Sequence, residues 1–156
     1  MNYWLFKTEP GCFSYSDLLN RPDSTEHWDG VRNFQARNYL RDRVTVGDGV
    51  LFYHSNIPEP AVVGTARVVR AGYPDWTAWD PAGEHFDPKS SPDRPIWYMV
   101  DVRAERAFAQ PVPLGLIKSH PGLGGMVLLT RSRLSIQPVT VDEWRLICHL
   151  GGISAA

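Results

Sequence analysis

The sequence predicts an α+β fold, a small mixed β-barrel with flanking helices, on three observations. Five short segments rich in apolar, aromatic or β-branched residues are separated by Gly, Pro and Asn turn signals. Four stretches with helix caps or helical spacing interrupt and close that series. No repeat, low-complexity run or linker divides the chain, and its 156 residues are the size of one domain. A chain of that length buries about two thirds of its unfolded surface, so its core needs no staples. A single domain over residues 1–156 follows.

The elements are read in order. Asn2 to Thr8 is aromatic and apolar and reads as a strand, ended by Glu9-Pro10-Gly11. Ser14 or Ser16 caps a short helix carrying Leu18 and Leu19. Arg21 to Glu26 reads as loop, and His27 to Val31 as a structured turn. Asn33 to Arg43 spaces Phe34, Tyr39 and Leu40 as a helix does. Val46-Gly47-Asp48-Gly49 then turns the chain into a buried strand, Val50 to His54, and Asn56 to Pro60 leads into another, Ala61 to Val69. Tyr73 to Pro95 holds five prolines and reads as a long surface loop, tied down by Trp76, Trp79 and Phe86. Such a loop is expected to flank a binding site. Ile96 to Val102 is a strand, Leu114 to Ser119 a helix behind Pro113, Arg133 to Gln137 a strand and Val141 to Leu150 a closing helix.

Composition excludes several classes of function. The net charge of −1 argues against a protein that coats nucleic acid through bulk positive charge. The distribution is uneven: six arginines oppose three acids between Val31 and Arg70, whereas five acids oppose Lys89 and Arg94 between Tyr73 and Arg94. Thirteen of the sixteen basic residues are arginine, which suits bidentate contacts and stacking; GC-rich coding would produce the same bias. Cys12 and Cys148 cannot build a disulfide framework or a thiolate metal site. The five histidines show no metal-ligand spacing, and Gly122-Leu123-Gly124-Gly125 lacks the context of a phosphate loop. No metal and no cofactor are expected. No apolar run approaches the roughly 20 residues of a membrane span, and Met1 to Lys7 does not read as a secretory leader. A cytoplasmic protein without a membrane partner is expected, acting as a monomer.

Six Trp, six Tyr and six Phe are more aromatic surface than so small a core uses, so some rings are expected to line a pocket. The densest stretch is Trp28-Asp29-Gly30-Val31-Arg32-Asn33-Phe34-Gln35-Ala36-Arg37-Asn38. Asn and Gln amides present a donor and an acceptor together, the complement of a base edge. Trp supplies a stacking face and Arg a phosphate contact. The same stretch also reads as a capped amphipathic helix with Trp28 in the core and its arginines solvated.

These residues carry a resemblance that extends over the whole chain. Tyr3 to Pro10, Trp28 to Asn38, Val46-Gly47-Asp48 and Phe52-Tyr53-His54-Ser55 resemble the EVE domain family of the PUA-like superfamily. Tyr73-Pro74-Asp75, Phe86-Asp87-Pro88-Lys89-Ser90, Trp97 to Val102 and Leu134 to Val139 add to it. Thr8 stands where Ser is usual in that family, and Phe34 where Tyr is common. The resemblance implies a PUA-like barrel related to YTH and ASCH domains, and binding rather than turnover. The partner it implies is DNA or RNA with a modified base, cytosine or adenine, held in an aromatic cage. Carried onto this chain, the base-binding pocket comprises Lys7, Thr8, Trp28, Asn33 and Ser55, with Trp97 or Tyr98 as the wall opposite Trp28. Arg32 and Arg37 are the expected phosphate contacts. No catalytic residue is assigned. Two rivals remain: a small hydrolase using His54, Ser55 or Cys12 on a nucleotide-like ligand, and a sensor of a free nucleoside.

Overall fold

A computed structural model describes residues 1–154. It contains β1 (Tyr3–Thr8), α1 (Tyr15–Leu19), β2 (Thr25–His27), α2 (Phe34–Asp42), β3 (Gly49–His54) and β4 (Ala61–Pro74). These are followed by β5 (Tyr98–Pro113), α3 (Leu114–Ser119), α4 (Val127–Thr130), β6 (Ile136–Val139) and α5 (Val141–Leu150). The six strands form one mixed sheet in the order β2-β5-β4-β3-β1-β6, with β1 and β3 parallel and the other pairs antiparallel. Helices flank the sheet, as the α+β reading requires. β2 and β6 are the two ends of the hydrogen-bonded ladder.

β1 and β3 are apolar at nearly every position because both faces of the central sheet are covered. Trp4, Phe6, Val50 and Phe52 point to one face, where they meet Leu18, Leu40, Val68 and Val100. Leu5, Leu51 and Tyr53 point to the other, against Ile117, Leu123, Trp144 and Ile147. Alternation along each strand serves two cores.

The helices begin where their caps place them. Ser14 and Asp17 form a capping box on α1, and Thr140 and Glu143 form another on α5. Buried Asp48 accepts from the backbone N–H groups of Asn2 and Thr45, from Trp4 Nε1 and from the Thr45 hydroxyl. The Val46-Gly47-Asp48 signature is therefore a structural rivet.

Several element readings are corrected: β4 runs to Pro74 instead of ending at Val69, and Val127–Thr130 adds helix α4. β5 runs to Pro113 instead of ending at Val102, because pairing with β4 holds its Ala-rich, polar second half extended. β6 begins at Ile136, not Arg133. Residues 25–27, read as loop and turn, form edge strand β2 against Asp101–Arg103.

The 73–95 segment is ordered, and a buried carboxylate anchors it more deeply than the expected aromatic residues do. Trp76 and Phe86 are exposed, and Trp79 is half-buried. The anchor is Asp75, fully buried, which accepts from Gly30 N, Thr77 N, the Thr77 hydroxyl and Arg32. Asp87 N donates to Ala78 O, and Trp97 Nε1 donates to Asp87 at 2.7 Å, closing the loop on itself.

Candidate functional site

A concavity of about 490 Å³ opens at the C-terminal end of β1. Lys7 and Thr8 of β1, Glu26 and His27 of β2, the segment Trp28–Arg32, and Glu84 and His85 of the long loop contribute to its lining. Trp28 is 7% exposed, so it is both core and cavity wall. Phe6 at 5.3 Å, Phe52 at 5.4 Å and Phe13 at 6.1 Å, centroid to centroid, back its indole. Trp28 N donates to Val100 O, extending the pairing of β2 with β5. The ring is thus held by its backbone and by three aromatic neighbours. An aromatic face fixed in this way loses little entropy on stacking a planar ligand.

Gly30 shapes the opposite side. Its φ of +77° is costly for residues with a Cβ, and a Cβ there would lie 2.7 Å from the His85 ring. Its N–H reaches Asp75, as does Arg32 Nη1 at 3.0 Å, while Arg32 Nη2 donates to His85 O. Asp75 therefore locks the Trp28–Arg32 turn to the loop that carries His85. Burial disfavours the Asp75 carboxylate, but donation from Thr77, Gly30 and Arg32 outweighs it and holds the pKa below the usual carboxylate value.

Charge in the cavity is balanced. Lys7, Arg21 and Arg32 stand against Glu26, Asp29 and Glu84. Arg21 pairs with Glu26 at 2.7 Å. Asp29 Oδ2 lies 3.8 Å from His27 Nε2 and 3.5 Å from His85 Nδ1. Lys7 Nζ donates to Ser132 O at 2.6 Å, and partial burial lowers its pKa. A cleft with Trp28 and Phe13 in its wall, mixed donors and acceptors and no excess charge fits a neutral heterocycle better than a bare phosphate.

Of the pocket residues expected from sequence, the structure brings Lys7, Thr8 and Trp28 to this cavity, together with Arg32. Thr8 uses its hydroxyl to hold Phe13 O. Asn33 is the N-cap of α2; its side chain accepts from Ala36 N and lies outside the lining. Ser55 also lies outside, with its N–H donating to Thr8 O. Trp97 and Tyr98 do not oppose Trp28. Trp97 packs between α2 and the long loop, stacked on Phe34, and Tyr98 lies beneath Arg41. The two arginines are likewise occupied: Arg32 by Asp75 and His85 O, and Arg37 by Ile96 O and Asn38.

The site also draws on residues that sequence reasoning passed over. Phe13, Asp29, His27 and His85 line the cavity, and Ser135 brings the loop before β6 to its edge. Arg131 and Arg133 are exposed on that loop, with no acidic partner among the described residues. The clue available in sequence was Asp29-Gly30 inside the Trp28 motif, a turn that needs glycine and carries a carboxylate.

The candidate hydrolytic residues are placed differently. His54 Nε2 accepts from Tyr15 N at 3.1 Å, serving as a cap for α1. Cys12 has Glu9 as its hydrogen-bond acceptor, 4.0 Å away. Burial lowers the His54 pKa, so the unfolded chain takes up a proton there before the folded chain does. Stability from this group is complete above the unfolded value of about 6.5 and is lost as pH falls toward the folded pKa. Thermal scans between pH 7.5 and 5.5 are expected to show a decline in Tm that His54→Gln reduces, because a glutamine carbonyl accepts from Tyr15 without titrating. A decline identical in both proteins would contradict this role.

Comparison with known proteins agrees with the fold. The EVE domain profile matches residues 2–150. Human thymocyte nuclear protein 1 is 42% identical over 166 aligned positions, covering 96% of this chain and 73% of that protein. A hypothetical protein from Leishmania major superposes with a TM-score of 0.92 at 45% identity, covering 97% of this chain and 95% of that one. The crystal structure of human THYN1 protein in complex with 5-methylcytosine-containing DNA superposes with the same TM-score at 40% identity, covering 99% and 100%. No helix among the described residues is long and apolar enough to cross a membrane. On the match to residues 2–150 and the identity to its relatives, the chain belongs to the EVE domain family.

Proposed function

We propose that this chain binds DNA containing a modified cytosine, without turnover, by taking the base out of the stack into the Trp28 cavity. The observation that carries this reading is a rigid, nearly buried Trp face inside a charge-balanced cleft. A relative of the same fold, captured with 5-methylcytosine DNA, supports the choice of ligand. Stacking on Trp28 supplies about 1–3 kcal/mol, against a flipping cost of a few kcal/mol. Contacts to flanking phosphates are needed to make up the difference. The Asp29 carboxylate is the acceptor suited to the cytosine N4 amino group. Thymine carries the same C5 methyl but an acceptor at position 4, so Asp29 would repel it. The pocket in this reading uses Lys7, Thr8, Trp28 and Asp29.

Fluorescence anisotropy with matched duplexes tests this. The 5-methylcytosine duplex should bind at least fivefold tighter than its cytosine counterpart, since one methyl contact is worth about 1–3 kcal/mol, and tighter than its thymine counterpart, which offers Asp29 no N4 donor. Free 5-methyldeoxycytidine should bind far more weakly than the duplex. Equal affinity for nucleoside and duplex would favour the free-nucleoside sensor. Arg37 retains guanidinium N–H groups beyond those given to Ile96 O and Asn38, and it is the proposed phosphate contact. Arg37→Ala should weaken modified and unmodified duplexes by a similar factor and lower the slope of log affinity against log salt by about one unit. An unchanged slope would assign Arg37 to structure alone.

A further inference from the structure

Phe34 is 59% exposed at the first turn of α2, an unusual position for a large ring with no role in the core. It is stacked on Trp97, with centroids 4.9 Å apart and planes at 26°. Trp97 is itself 6% exposed and fixed by its indole bond to Asp87, so the shelf beneath Phe34 is rigid. The Arg32 guanidinium lies 5.3 Å from the Trp97 centroid, and that of Arg37 lies 5.0 Å from Phe34. The four groups form one continuous pile. Arg32 belongs to the cavity wall, so the pile runs from the cavity to the exposed Phe34 ring with the half-buried Arg37 against it.

The geometry points to Phe34 on Trp97 as a second, external stacking platform, which takes the nucleobase next to the one held against Trp28. The inference rests on the modified-cytosine reading above and adds a separate site to it. When a base leaves the duplex, its neighbours lose a stacking partner. An exposed ring joined to the cavity wall through Trp97 and Arg32 can replace that partner. Arginines on both sides of the platform match the negative charge of the strand that would cross it. An aromatic face accepts any base, so this contact adds affinity without selecting the modification.

A double-mutant cycle with 5-methylcytosine duplexes tests this. Wild type and Phe34→Ala are measured on duplexes with an intact neighbour and on duplexes with an abasic site on the 5′ or 3′ side of the methylated base. With neighbours intact, Phe34→Ala should weaken binding on the order of 5- to 100-fold. It should leave the 5-methylcytosine to cytosine ratio and the salt slope unchanged. Phe34→Trp should retain affinity. At one of the two abasic positions the Phe34→Ala penalty should vanish. Because Phe34 is exposed, the variant should fold with nearly unchanged Tm. If Phe34→Ala binds as wild type does, or its penalty survives at both abasic positions, the platform is overturned while the Trp28 reading stands. If the wild-type chain shows no preference for the methylated duplex, the Trp28 reading fails and the platform falls with it.

Discussion

Asp75→Ala is expected to destabilise the protein by about 3–5 kcal/mol, because it leaves the Arg32 charge and three other donors without their buried acceptor. Asp75 is fully buried, so water cannot take its place cheaply. Asp75→Asn should fall between wild type and Asp75→Ala, since one amide oxygen still accepts while the NH2 group faces Arg32 and Gly30. Urea denaturation at pH 7 measures both. The folded-state pKa lies below the unfolded one, so the contribution is present above the ordinary carboxylate value near 4 and is lost as pH falls through the folded value. The same substitution should loosen the 73–95 loop and move His85 away from the cavity, so methylated-duplex affinity should fall even where the protein remains folded. A variant with wild-type stability would show that other contacts hold the loop.

Replacing Trp28 has the second large effect, on two readouts that must be separated. Trp28→Ala removes a ring packed on Phe6, Phe13 and Phe52 and should cost about 3–5 kcal/mol of stability. Trp28→Phe keeps an aromatic plug in the core but halves the stacking face offered to the cavity. The phenylalanine variant should fold with a modest loss of Tm and lose most of the preference for 5-methylcytosine, with an unchanged salt slope. A folded Trp28→Phe protein with the full preference would place base recognition elsewhere.

The fold was largely legible where hydrophobic pattern and caps act locally. β1 and β3 are largely apolar runs, Ser14 is a cap, and α3 and α5 run from Leu114 to Ser119 and from Val141 to Leu150 as read. What escaped the reading depends on distant partners. The polar half of β5 is a strand only because β4 lies beside it. The sequence ties the loop to Trp76, Trp79 and Phe86, yet a buried carboxylate, Asp75, organises it by meeting Arg32, distant in sequence. Within the candidate site, the Trp28 motif supplies Trp28 to Arg32 of the cavity lining. Asn33, however, spends its side chain capping its own helix, a local bond that competes with any ligand. Trp97 precedes β5 and turns toward α2; adjacent residues at a strand start face opposite ways, and the sequence carries no signal of which is inward.

The most direct measurement is a crystal structure of this chain with a short duplex carrying one 5-methylcytosine. The methylated base should stand outside the duplex with its ring against Trp28 and its N4 amino group within hydrogen-bond distance of Asp29. A duplex whose methylated base remains stacked and paired, or one bound away from the Trp28 cavity, would contradict base capture by this protein.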